Sequence, residues 1–271
     1  MPQLSETIAA SPLTLLEYGV SGSGKTTLWA RLAEFEAFRP IWCSDWDLRL
    51  RAIQATLKPE LFQHIYFDEF RDKVVGGESY ITLENISRNL PLLDKKYGVA
   101  FKTIVIDSGT FMMDGMMARA LTLGGRDTKS TPQLQDYMAQ QSMLRDLIQR
   151  FTSCGRHFIF TAHEESDKDE VTGRMFKNLA LTGKSAQKTP GYFNELWHCE
   201  VKLGPPDPAN PQLDRESTFG VRTRSDAIYS ARTSYKFLNS FEQQGQIWQK
   251  IVKSMETTKP TEVVNKPIVA I

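Results

Sequence analysis

The run Gly19-Val20-Ser21-Gly22-Ser23-Gly24-Lys25-Thr26 matches the spacing GxxxxGK[ST]. Glycine at 19, 22 and 24 lets the backbone turn back on itself, so that successive N–H groups point inward around a β-phosphate. Ser21, Ser23 and Thr27 complete the wrapped segment. Lys25 is placed to reach β and γ oxygens, and the Thr26 hydroxyl to meet Mg²⁺; the positive end of the helix that follows adds to the field. These residues predict a bound nucleoside triphosphate, ATP with Mg²⁺.

Such a loop needs an acid at the end of a neighbouring strand to hold the metal's water shell. Asp107 closes the segment Lys102-Thr-Ile-Val-Ile-Asp107 and is the candidate metal residue beside Thr26, although Asp before an apolar stretch also caps helices. Hydrolysis further needs a group that orients or deprotonates the attacking water. No Glu follows Asp107, but Asp45 and Asp47 stand just after an apolar segment at 41–44. Either could reach the γ-phosphate water or cap the next helix, and Asp47 is the candidate base.

The elements that must position these groups alternate. Strands are predicted over 14–18, 41–44, 64–67, 101–107 and 157–162. Helices are predicted over 25–38, 48–57, 80–97 with a kink at Pro91, 112–123 and 133–151. This order predicts an α/β fold with a mostly parallel sheet covered on both faces. After residue 163 the texture changes. Short runs at 196–203, 217–222 and 227–230 predict antiparallel strands extending that sheet, and 240–255 a last helix. Residues 204–214, with four prolines, predict an exposed loop. Domain boundaries follow: a leader at 1–12, one domain at 13–256 (core 13–163, antiparallel extension 164–256) and a flexible tail at 257–271. Trp42, Trp46 and the methionines of 112–117 are expected to pack in the core.

Composition excludes several classes. The 271 residues are 41% hydrophobic and 24% charged with a formal net charge of +1, which argues against coating nucleic acid by bulk charge. Cys43, Cys154 and Cys199 form no metal-ligand spacing and read as reduced thiols. Without an apolar stretch of the ~20 residues that a span needs, or a basic flank before one, the chain reads as soluble and cytoplasmic.

The order of these pieces resembles the RecA-like recombinase core, in particular the short RecA-like ATPases of bacteriophages that serve in single-strand annealing and recombination. The likeness covers roughly residues 13–232. It rests on the P-loop, on Asp45-Trp46-Asp47 where that core has Asp-x-Glu, on Ile104-Val-Ile-Asp-Ser108, and on Ile159-Phe-Thr-Ala-His163. The resemblance implies Asp47 as catalytic acid, one methylene shorter than the family's Glu, and His163 in the place of a Gln γ-phosphate sensor. It implies DNA loops at 124–130 (Arg126, Lys129) and at about 164–177 (Arg174, Lys177), and Arg222 and Arg224 as a basic pair reaching a neighbouring subunit's ATP. It also implies single-stranded DNA, further copies of the chain and a single-strand DNA-binding protein as partners. Two other classes stay open: a nucleotide-gated binding module with little turnover, and a small-molecule P-loop kinase.

Overall fold

The computed structural model describes residues 11–70, 77–168, 170–205 and 215–257. The expected leader and tail therefore lie almost wholly outside the described residues, as does most of the proline-rich loop. The strands are β1 (Thr14–Gly19), β2 (Ile41–Asp45), β3 (Ile65–Glu69), β4 (Thr103–Asp107), β5 (His157–Lys168), β6 (Met175–Leu179), β7 (Glu195–Leu203), β8 (Ser217–Arg222) and β9 (Phe241–Gln243). The helices are α1 (Lys25–Ala30), α2 (Arg51–Gln54), α3 (Glu78–Arg88), α4 (Leu90–Tyr97), α5 (Gly109–Leu123), α6 (Leu134–Thr152), α7 (Ser185–Lys188) and α8 (Gln244–Thr257).

The strands form one sheet in the order β3-β2-β4-β5-β1-β7-β8-β9, with β6 folded back on the far end of β5. Pairing is parallel from β3 through to β7 and antiparallel at β7–β8, β8–β9 and β5–β6. This is the mostly parallel α/β sheet with an antiparallel C-terminal extension that the sequence predicts. β1, β2 and β4 are buried along their whole length because helices cover both faces.

Period-two alternation then sorts the side chains into two cores. Leu16, Tyr18, Trp42, Ile106 and Phe160 pack with α3, α5 and α6 on one face. Leu15, Cys43, Val105 and Ile159 pack with α1 and α8 on the other. Met112, Met113 and Met116 are core residues, and Trp46 stacks on Phe70 with ring centroids 5.2 Å apart. The aligned register brings Gly19 opposite His163 and Asp45 opposite Asp107, so the chemistry-bearing residues share the carboxyl edge of the sheet.

Several elements differ from expectation. The first helix is α-helical only to Ala30 and tightens to a 3₁₀ turn over Arg31–Glu34, and the chain beyond it buries Phe38 against Trp248. The helix expected over 48–57 is confined to α2. The expected kink at Pro91 is a full break at Asn89, with Pro91 near the start of α4 where its missing N–H is tolerated.

β7 is parallel to β1 and antiparallel to β8, with a single antiparallel bridge from Leu196 to Arg232, so the antiparallel extension starts one strand later than expected. Residues 227–230 are not a strand. The Asp226 carboxylate accepts the N–H groups of Ile228 and Tyr229 and folds the segment into a turn. The segment at 240–255 opens with β9 before α8 begins. No helix among the described residues is long and apolar enough to cross a membrane.

Candidate nucleotide site

The loop between β1 and α1 is set by glycine at two levels. Gly22 and Gly24 have φ of 82° and 87°, a left-handed backbone that side-chain-bearing residues rarely adopt. Gly19 lacks room for a side chain, since a Cβ there would stand 2.3 Å from the Cys199 carbonyl oxygen. The Lys25 ammonium, 6% exposed, donates to the Gly19 and Val20 carbonyls at 2.9 Å each. Ser21 accepts a 2.7 Å hydrogen bond from Arg49, and the Thr27 hydroxyl turns back to the Gly24 carbonyl at 2.8 Å. Ser23 is fully buried, and its N–H closes a turn onto Val20.

Asp107 is the hub of the site. Its Oδ2 accepts from the Thr26 hydroxyl at 2.7 Å and from the Trp29 indole at 3.0 Å, and its Oδ1 from Thr161 at 2.6 Å. It therefore does not cap the following helix: that position falls to Ser108, which makes no side-chain cap bond. Ser108 instead donates to Asp47 Oδ1 at 3.0 Å, and His163 Nε2 donates to Asp47 Oδ2 at 3.2 Å. Asp47 and His163 are 9% and 17% exposed at their side chains and line one cavity of about 430 Å³ with Lys25, Thr26 and Asp107.

Of the two acids after β2, Asp45 is buried and accepts the Leu48 N–H at 2.8 Å; burial lifts its carboxyl to about 6. It closes the turn at Leu48 and does not cap α2, whose N-cap is Leu50 without a side-chain bond, and Asp47 is the one that lines the cavity. Glu17 lies fully buried in β1, two residues before the P-loop, its two carboxylate oxygens without a hydrogen-bond partner among the described residues. Burial, with Asp107 nearby, raises it well above the ordinary carboxylate range, and Lys25 pulls the other way. Glu17, Trp29, Arg49 and Gln244 belong to this neighbourhood without a signal in any motif, because each arrives from a different element; Thr161 lies within the run 159–163 but only its bond to Asp107 marks it.

These residues fit a triphosphate and its metal. A buried ammonium beside a left-handed glycine loop suits phosphate oxygens. Among the described residues no group of three or more His, Cys, Asp or Glu could hold a metal ion. A divalent cation here would be shared between a hydroxyl, a carboxylate's water shell and phosphate, which is how Mg²⁺ is usually bound.

The other expected contacts lie apart from the cavity lining. Arg126 does not project outward: its guanidinium pairs with Asp136, which is 2% exposed. Lys177 pairs with Glu164 at 3.1 Å and with Ser166 at 2.9 Å across the β5–β6 hairpin. Lys129 and Arg174 are exposed, the latter donating to the Ala227 carbonyl. Arg222 pairs with Glu200 at 3.2 Å and Asp226 at 2.8 Å, and Arg224 donates to the Leu238 carbonyl at 3.3 Å.

Fold and loop together define a P-loop nucleotide-binding domain. Residues 11–233 match the AAA domain family, and the chain belongs to that family of P-loop ATPase domains. No curated protein sequence matches the chain. Among solved structures it is similar to a KaiC-like protein from the hyperthermophilic archaeon Pyrococcus horikoshii, at 14% identity and a TM-score of 0.41 over 84% of this chain and 90% of that one. It is also similar to RadB recombinase (14%, TM-score 0.41, 79% and 89%) and to a type III secretion ATPase of pathogenic bacteria (12%, TM-score 0.47, 68% and 50%).

Proposed function

We propose that this domain binds ATP with Mg²⁺ at Gly19–Thr27 and hydrolyses it, and that it couples turnover to single-stranded DNA as an oligomer in annealing or recombination. The observation that carries the ATPase reading is the convergence of Lys25, Thr26, Asp107, Asp47 and His163 on one cavity from four strand ends. When bound, Mg²⁺ would neutralise phosphate charge beside Thr26 and Asp107. Lys25 exchanges the Gly19 and Val20 carbonyls for phosphate oxygens. Asp47, fixed by Ser108 and His163, orients the water and takes its proton as the new P–O bond forms and the bond to ADP breaks. His163, opposite Gly19 in register, senses the γ-phosphate through Asp47.

For DNA the cations best disposed are Lys129 and Arg174, which are exposed, whereas Arg126 and Lys177 are held by acids. For the transition-state cation we favour Arg49, already at the cavity on Ser21, over Arg222 and Arg224, which would first have to leave their own partners. Steady-state ATP hydrolysis with and without single-stranded DNA, with Lys25→Ala as the blank, tests the reading. Several-fold stimulation that disappears in the variant is the expected result. Turnover indifferent to DNA would end the DNA-coupled mechanism, and turnover equal in the Lys25 variant would end the ATPase assignment. A nucleotide-gated binding module is the second reading. The occupation of both Asp47 oxygens, one by Ser108 and one by His163, favours it, because an attacking water must share or displace one of these partners.

A further inference from the structure

The cavity has two flanks, and the strand order assigns them. β2, β4 and β5 bring Asp47, Asp107 and His163 to one side of β1, and β7 and β8 lie on the other. Those two strands continue beyond the edge of the sheet. His198 is level with Tyr18, and the Cys199 carbonyl presses on Gly19, so the rest of β7 runs on past the P-loop. β8 returns beside it and carries Phe219, paired with Val201, two residues above that level. Phe219 shares a face with Val221, which is buried with Trp248 and Ile251, yet Phe219 itself is 44% exposed and lines the cavity.

The start of α8 closes this flank. Gln244, 5% exposed, donates its amide to the Ser23 carbonyl at 3.0 Å, and a Cβ on Gly24 would stand 2.6 Å from its Oε1. Trp248 donates to the Leu28 carbonyl at 2.7 Å, which ties the same helix to α1. Gly245 faces Arg31, whose Nη2 is 3.9 Å from where a Gly245 Cβ would stand. Lys25 and the acids take the phosphate end of a bound nucleotide at the opposite flank. Of the remaining lining, Ala52, Ala55 and Thr56 follow β2, whereas Arg31, Phe219 and Gly245 gather at the β8–α8 flank and offer the base a planar and an aromatic face.

We propose that Arg31, Phe219 and the first turn of α8 form the subsite for the nucleotide base, with Gln244 as a positioning residue that holds the P-loop through Ser23. The inference rests on the reading that this cavity binds a nucleoside triphosphate. A flat heteroaromatic ring stacks on the Phe219 face and on the planar Arg31 guanidinium, which Glu34 pairs at 3.4 Å, and the Phe219 contact is of no use to phosphate alone. The family match ends at residue 233, so Gln244 and Gly245 come from a part of the chain outside the shared family region.

Calorimetric titration of the full chain with ATP and with inorganic tripolyphosphate, both with Mg²⁺, tests this. The wild type is expected to bind ATP more tightly than tripolyphosphate. Phe219→Ala is expected to lose about tenfold in ATP affinity, the scale of one lost aromatic stack, with tripolyphosphate affinity unchanged. Phe219→Leu, which keeps apolar bulk, is expected to lose part of that, and Gln244→Ala to weaken both ligands together. Equal affinities for the two ligands in the wild type, or a Phe219→Ala variant that shifts both or neither, would overturn the base subsite alone. A wild type that binds neither ligand would remove the nucleotide reading and this inference with it.

Discussion

Two regions of this chain carry concentrated charge, and they use it in opposite ways. Around β1, Lys25 hydrogen-bonds only to carbonyls among the described residues, with Glu17 near it but making no ion pair, and Asp47 and Asp107 take hydrogen bonds from hydroxyl, indole and imidazole donors. From residue 126 onward several basic groups already have acids: Arg126 with Asp136, Lys177 with Glu164, and Arg222 with Glu200 and Asp226. Charge whose counter-charge is missing from the protein invites a charged ligand, whereas charge that is matched internally holds the fold together. The first region therefore reads as a binding site and the second mainly as a set of structural clamps.

The largest expected effect tests the first half of that contrast. Asp47→Asn removes the proton acceptor while keeping size and one hydrogen-bonding oxygen. It should lower kcat by about 10²–10⁴, the usual worth of a positioned general base, with ATP affinity within a few-fold of wild type. An Asn variant with unchanged kcat would make Asp47 a structural acid like those of the second region. Asp47→Glu, which restores the longer carboxylate, sharpens the point by keeping measurable turnover.

Arg126→Ala tests the other half. It strands the Asp136 carboxylate at 2% exposure, with the Gln133 N–H as remaining partner at 2.6 Å. Breaking such a pair from one side costs about 3–5 kcal/mol, so the melting temperature should fall by many degrees. If single-stranded DNA affinity fell instead and stability held, Arg126 would be a ligand contact and the contrast would fail.

The smallest effect concerns a group that belongs to neither region. His157 accepts the Leu13 N–H on Nδ1 at 2.9 Å, and burial lowers its pKa from 6.5 to about 4 despite a hydrogen bond to the Ala37 backbone. Its folded pKa is depressed, so its contribution is fully present above pH 6.5 and is lost as pH falls through 4. The full shift corresponds to at most about 3 kcal/mol. Asp45, raised to about 6, acts in the opposite sense: its share is full at low pH and is lost as pH rises through 6. His157→Gln should therefore flatten the acid side of a melting-temperature profile. A profile unchanged by this substitution would show that His157 is not held neutral.

Legibility followed the range of the interactions. The five core strands read correctly because apolar runs such as Ile104–Ile106 are continuous and buried on both faces. The turn at Asp226 was lost to a single side chain that competes for backbone N–H groups. The sequence favours Asp47 over Asp45, and the physical difference between them is that Asp45 meets the Leu48 N–H whereas Asp47 meets Ser108 and His163.

By itself the sequence determined the phosphate loop, because eight consecutive residues supply its glycines, its ammonium and its hydroxyl within one turn of backbone. It also determined the alternation that makes a parallel sheet, since periodicity is local. Only the tertiary structure decided that Thr26 meets Asp107 across 81 residues, that Gln244 holds Ser23 across 221, and that Arg126 is neutralised by Asp136. Those outcomes depend on which strand ends lie side by side and which cation finds an acid first, and neither is set by the spacing of residues along the chain.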